Sequence, residues 1–178
     1  MISITQGCQV PGLTILQKID DPLRLCTIYS RENGDLVLGF GGTRKSWLDW
    51  LMNLEPSIEA RSLIGAIENW YKIYCPRSIE LYGHSQGGAI ATHVACSMRS
   101  WPCGVSVVTY GGLPTSVDPN CRVTNYLNRS DPMAWVPWWI FGLERFGTVV
   151  KIGRPGFSFK AHDPKTYLEE MEKQGYKK

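Results

Sequence analysis

The chain has 178 residues, 43% hydrophobic and 20% charged, with 19 Lys and Arg against 16 Asp and Glu for a formal net charge of +3. That length suffices for a core that needs neither disulfides nor metal, so one domain over residues 1–178 is the simplest reading, and the small charge excess without a Lys/Arg run excludes a nucleic-acid partner. Six cysteines (Cys8, Cys26, Cys75, Cys96, Cys103 and Cys121) lie without C-x-x-C or Cys/His spacing, so no metal site is expected and the thiols are read as reduced.

Met1 to Gly7 has no basic segment followed by an apolar one, so no signal peptide is read. Leu23 to Ser30 and Leu36 to Phe40 are apolar or β-branched runs joined across Asn33-Gly34, the signature of a hairpin; the second runs into Gly41-Gly42-Thr43. Ser46 to Leu54 is a short, very apolar helical segment ending before Pro56. In Ser57 to Tyr74, Leu63, Ile67, Trp70 and Tyr74 repeat at helical spacing, and Cys75-Pro76 stops the helix. Ser78 to Tyr82 reads as a strand, Gln86 to Arg99 as a helix, and Val105 to Tyr110 as a strand buried on both faces. Arg122 to Leu127 is a further strand. Around Gly147, Ile140 to Phe146 and Thr148 to Ile152 suggest a second hairpin, and Asp163-Pro164 opens the last helix. The longest apolar stretch, Met133 to Leu143, has about half the length needed to span a bilayer. A cytoplasmic or otherwise intracellular protein is expected. Strands and helices alternate through the middle of the chain, which favours an α/β fold with a mainly parallel sheet and helices on both faces.

The chemistry is concentrated in Gly83-His84-Ser85-Gln86-Gly87, a G-x-S-x-G set between strand and helix. A serine on that sharp turn is a nucleophile candidate, and it needs a base. His84 is adjacent and its side chain should diverge from that of Ser85; His93 lies eight residues along the helix, roughly 12 Å away. His162 remains, late in the chain. Of the acids between Ser85 and His162, Asp131 directly follows a strand, whereas Asp118 lies in a polar turn and Glu144 in the expected hairpin, so Asp131 is favoured as the partner of His162. The positive end of a helix starting at Asp163 would disfavour an imidazolium at His162, which Asp131 must outweigh. Oxyanion donors are expected from the backbone N–H of Gln86 and from Thr43, at the glycine-rich strand end upstream.

Together these residues resemble the class 3 lipase family, the α/β-hydrolase group that includes fungal triacylglycerol lipases. The stretches that carry the resemblance are Gly39 to Thr43 with Ser46, Asp49-Trp50 and Asn53-Leu54; Tyr82 to Ala89; Tyr110-Gly111; Asn128 to Pro132 with Pro137; and His162 with Tyr167. The resemblance implies Ser85, Asp131 and His162 as a triad, Thr43 and Gln86 as oxyanion hole, and a lid helix over Ser46 to Leu54, whose Trp47 and Trp50 would meet substrate or an interface. The chain departs from the family in its short segments between Asn53 and Ser85, Ser85 and Asp131, and Asp131 and His162, which indicates a smaller sheet and a shallower acyl site. Trp135, Trp138, Trp139 and Phe141 follow Asp131 and would line an acyl groove or rest on a membrane surface.

The expected activity is hydrolysis of an acyl ester, lipid or otherwise, through an acyl-serine intermediate without metal or cofactor, with transient contact to a lipid interface. The rival readings are acyl transfer to an alcohol by the same triad, and a non-catalytic lipid- or protein-binding relic of the fold.

Overall fold

The computed structural model describes residues 2–20, 25–42 and 56–176. The Ser46 to Leu54 segment, with Trp47 and Trp50, and also Thr43 lie outside the described residues, as do Leu23 and Arg24 of the first hairpin.

Seven strands among these residues form one sheet whose spatial order follows chain order. The first three, β1 (Leu13–Asp20), β2 (Leu25–Arg31) and β3 (Leu36–Phe40), pair antiparallel. From β3 onward the pairing is parallel through β4 (Ser78–His84), β5 (Gly104–Tyr110), β6 (Arg122–Asn128) and β7 (Thr148–Ile152). The β2–β3 hairpin turns where Asn33-Gly34 directs it. Gly34 takes φ +83°, which a residue with a Cβ rarely adopts, and Asn33 Oδ1 accepts the N–H of Asp35 at 3.1 Å. Asp35 Oδ1 in turn accepts the N–H groups of Arg77 and Ser78 at 3.1 and 2.9 Å, pinning the start of β4 to the turn.

Helices cover both faces. On one lie α2 (Pro56–Tyr74) and α3 (Gln86–Ser97). Leu63 and Ile67 of α2, one turn apart, pack with Ile90 and Val94 of α3 against Leu38 and Leu81 of the sheet. Trp70 also donates its indole N–H to Gln17 Oε1 at 2.8 Å, tying α2 to β1. On the other face lie α1 (Ile2–Thr5) and α4 (Pro164–Lys173), where Ile4, Tyr167 and Met171 pack with Val37, Tyr82 and Tyr110. The alternation along β3, with Leu36 and Leu38 in one core and Val37 in the other, is the period of two that a strand buried on both faces requires.

Two expectations fail. Ile140 to Phe146 does not pair with β7: β7 is a fifth parallel strand, in register Thr124↔Thr148 to Asn128↔Ile152. Trp138–Phe141 is instead a 3₁₀ turn, preceded by Pro137 and ended by Gly142 in the left-handed conformation, and Glu144 bridges Thr115. Gly147, read as the hairpin turn, marks a close approach: a Cβ there would stand 2.4 Å from Val123 O on β6. The second failure is β1, which the sequence reading left unassigned. It is an edge strand with a register irregularity between Ile15 and Gln17, so its alternation is broken.

Candidate active site

Ser85 sits between β4 and α3 with φ 55° and ψ −126°, a strained backbone for a residue with a side chain. Close packing holds the turn in place. A Cβ at Gly83 would lie 2.3 Å from Gly87 O, and one at Gly87 would lie 2.3 Å from Phe40 O, so the two glycines flanking Ser85 allow strand, turn and helix to approach. The N–H of Ser85 donates to Tyr110 O at 3.1 Å, and Ser85 O accepts from Gly88 and Leu113 at 3.0 and 3.1 Å.

His162 and Asp131 reach Ser85 from two different loops at the C-terminal ends of the parallel strands. Asp131 follows β6 and starts the 3₁₀ turn Pro132–Ala134; His162 ends the 3₁₀ turn Phe159–His162 that leads into α4. His162 Nε2 stands 2.8 Å from Ser85 Oγ, and His162 Nδ1 stands 2.7 Å from Asp131 Oδ2. Since the carboxylate can only accept, Nδ1 carries the proton and Nε2 is left to face the serine hydroxyl.

Asp131 is fully buried. Burial pulls its carboxyl upward, but the His162 hydrogen bond and charge, the hydroxyl of Tyr167 and the N–H of Met133 outweigh it and hold the group below its ordinary value. Tyr167 donates to Asp131 Oδ2 at 2.7 Å while accepting the N–H of Asn128 at 3.0 Å. Burial, and the charge of Asp131, push its phenol well above the ordinary value, so it stays a donor. Arg145 adds a cation near this pair. Its guanidinium donates to the carbonyls of Gly112 and Met133.

The nitrogen that faces Ser85 Oγ belongs to His162, and the adjacent His84 serves elsewhere: its Nε2 lies 2.8 Å from the backbone oxygen of His162. A carbonyl only accepts, so His84 Nε2 bears a proton. Burial, and then the neighbouring His162, lower its pKa to about 4, and the ring is neutral near pH 7. Its other nitrogen lies toward Gly42, where a Cβ would stand 3.3 Å from Nδ1 and 3.2 Å from Ser85 Cβ. His93 lines a cleft between α2 and α3 instead. The conflict expected from the α4 N-terminus is reduced locally: Pro164 has no N–H, and the side chain of Asp163 accepts that of Lys165 at 2.8 Å.

Gln86 is the first residue of α3, where the backbone N–H has no intrahelical acceptor, and its side chain turns to Glu59 Oε1 of α2 at 3.4 Å. Trp138 is buried with Ala89 and Leu113, its indole N–H donating to Met133 O at 3.0 Å, while Trp135 is 62% exposed with its N–H held by Arg129 O at 2.9 Å. The cleft beside Ala89 and Leu113 has a volume of about 660 Å³ and is also bordered by Ile58, Arg61 and Leu143. Among the described residues no group of three or more His, Cys, Asp or Glu is placed to hold a metal ion.

Sequence reasoning missed His84 and Arg145 as members of this network, and named Tyr167 beside His162 in the resemblance without giving it a role. Tyr167 lies one helical turn past Asp163 on the buried face of α4, which a helical projection from the cap would have indicated. Neither His84 nor Arg145 had a local signal, because their partners are distant in sequence.

No family model matches the chain, and no curated protein matches it. Solved structures do. Lipase II from Rhizopus niveus is 16% identical with a TM-score of 0.64, over 80% of this chain and 67% of that one. The Rhizomucor miehei lipase is 16% identical with a TM-score of 0.66, over 80% of this chain and 56% of that one. A triacylglycerol lipase from Penicillium expansum is 14% identical with a TM-score of 0.65, over 86% of this chain and 76% of that one. In the seven-stranded, mostly parallel sheet and the helices that cover it, this chain has the class 3 lipase fold of the fungal triacylglycerol lipases.

Proposed function

We propose that the chain is a serine carboxylic-ester hydrolase of lipase or esterase type, acting through an acyl-Ser85 intermediate. The observation that carries the reading is the hydrogen-bonded line from Ser85 Oγ to His162 Nε2 at 2.8 Å and from His162 Nδ1 to Asp131 Oδ2 at 2.7 Å. The structural neighbours, lipases and a triacylglycerol lipase, support acyl esters of lipids as the substrate class.

In this mechanism Ser85 Oγ attacks the ester carbonyl carbon as His162 Nε2 takes the hydroxyl proton. Asp131, held ionised by Tyr167 and Met133, stabilises the imidazolium and keeps the ring oriented. The carbonyl oxygen becomes an oxyanion, for which we assign the N–H of Gln86 as one donor and Thr43, next after Gly42, as the other. Collapse of the intermediate breaks the ester C–O bond, and His162 returns its proton to the departing alkoxide. Water, deprotonated by His162, then attacks the acyl carbon; Ser85 leaves with the proton and the carboxylic acid is released. His84, by donating to His162 O, holds the loop that presents the imidazole. The cleft beside Ala89 and Leu113 is assigned to one arm of the substrate, with Trp138 packed against those two residues; Trp135, Trp47 and Trp50 remain proposed substrate contacts from the sequence.

Hydrolysis of p-nitrophenyl butyrate and palmitate by the wild type and by Ser85→Ala tests the proposal. Loss of turnover on the order of 10⁶ is expected in the variant. Equal rates in both proteins, with a Ser85 that a fluorophosphonate does not label, would overturn it.

A further inference from the structure

We infer that the two aromatic turns flanking Asp131 and His162 form a docking surface for a lipid bilayer carrying anionic headgroups. Among the described residues, six of the ten exposed large hydrophobic side chains fall in two short stretches: Trp135, Trp139, Ile140 and Phe141 in one, Phe157 and Phe159 in the other. The stretches meet in space at one turn. Arg129 O accepts the indole N–H of Trp135 at 2.9 Å, Ser130 O accepts the N–H of Ser158 at 2.8 Å, and Ser130 Oγ donates to Arg154 O at 2.7 Å.

The rings are held rather than loose. Trp138 anchors the first stretch from below, buried among Ala89 and Leu113, and its ring stands 6.4 Å from that of Phe141. Phe157 and Phe159 contact each other edge to face at 5.6 Å. Six apolar side chains fixed outward at 61–76% exposure would be costly if water were their only neighbour.

Two features favour a bilayer over a protein partner. Side chains this exposed project from the surface instead of lining a groove, and a headgroup layer closes around projections without needing a matching pocket. Tryptophan is also enriched at that depth, where an apolar ring meets a polar boundary. The surrounding charge then selects the lipid. Between residues 129 and 160 the basic residues are Arg129, Arg145, Lys151, Arg154 and Lys160, against Asp131 and Glu144. Asp131 is buried and Arg145 is drawn inward to two carbonyls, while exposed Asp163 ends the second turn, so the exposed balance around the two turns is four cations to two anions. Each cation near an anionic membrane raises affinity by about fivefold. Phe159 opens the turn that ends at His162, and Trp135 closes the turn that begins after Asp131, so a bilayer on this surface meets the edge that carries Ser85.

Co-sedimentation of the Ser85→Ala protein with vesicles of phosphatidylcholine, with and without phosphatidylglycerol, tests the inference without lipid turnover during the assay. Binding to the mixed vesicles is expected, weakened at least tenfold by Trp139→Ser with Phe141→Ser, and similarly by Arg154→Glu with Lys160→Glu. Circular dichroism of each variant checks that the fold is intact. The charge-reversal pair removes no apolar contact and provides an independent arm if the aromatic pair misfolds. Absence of vesicle binding, equal binding by all variants, or a dimer in sedimentation velocity that the aromatic substitutions dissolve would each overturn it. Vesicle binding by a protein that hydrolyses no ester would support the surface and sink only the catalytic proposal; ester hydrolysis without vesicle binding would do the reverse.

Discussion

His84 and His162 stand 78 positions apart in the chain, yet His84 Nε2 meets the backbone oxygen of His162 at 2.8 Å and the two rings lie 5.1 Å apart. One histidine stands 2.8 Å from Ser85 Oγ, and the other, buried and neutral, fastens the peptide that carries it.

His84→Ala should therefore lower kcat more than it raises KM, because the imidazole of His162 loses its backbone anchor while the substrate cleft is untouched. An unpaired buried carbonyl also costs about 1–3 kcal/mol. Steady-state kinetics and urea unfolding check this. A variant with wild-type kcat would remove His84 from the positioning role.

Acid should destabilise the fold through the same residue. The unfolded chain binds a proton at His84 near pH 6.5, but the folded protein binds it only near 4. Between those values the unfolded state holds more protons, so stability falls as pH drops from about 6.5 to about 4, by on the order of 3 kcal/mol. Asp131, with its carboxyl held low, adds a loss in the same direction below about pH 4. Urea unfolding across this range should show the slope, and His84→Gln should flatten its upper part. An unchanged slope in that variant would show that another group carries the dependence.

Removing the Tyr167 hydroxyl takes a donor from Asp131 and an acceptor from the N–H of Asn128. Tyr167→Phe should cost about 1–3 kcal/mol of stability and several-fold in kcat. Asp131→Asn, which spoils the tautomer of His162, should cost about 10⁴ in kcat. If Tyr167→Phe matched Asp131→Asn in kcat, the phenol would have a larger part than orienting the carboxylate.

Gly42 leaves no spare room: a Cβ there would stand 3.2 Å from Ser85 Cβ and 3.3 Å from the His84 ring. Gly42→Ala is expected to lower kcat/KM by about tenfold or more, toward the 10²–10³ cost of losing an oxyanion donor. Unchanged kinetics would place the oxyanion loop elsewhere.

The turn at Ser85 is a strain reservoir. Ser85→Gly should raise thermal stability by about 1 kcal/mol, since glycine adopts φ 55° freely, while turnover is lost. A lowered unfolding temperature would argue that the serine side chain contributes more than the strain removes.

The sequence by itself determined what local physics encodes. Asn33-Gly34 specified a hairpin because few residues accept its left-handed turn. The spacing of Leu63, Ile67 and Trp70 specified a helix. The glycines around Ser85 marked a place where backbones crowd, and elimination over three histidines and three acids singled out His162 and Asp131 as partners for Ser85. Tertiary structure decided the rest. Whether Thr148–Ile152 folds back on its neighbour or joins β6 in parallel depends on which exposed edge is free, not on its own side chains. That Trp138 faces inward while Trp139 faces outward depends on one turn of 3₁₀ helix after Pro137. The bond from His84 to His162 has no sequence signature at all, because a ring nitrogen and a backbone oxygen so far apart in the chain are paired only when β4 and the loop before α4 have been set side by side.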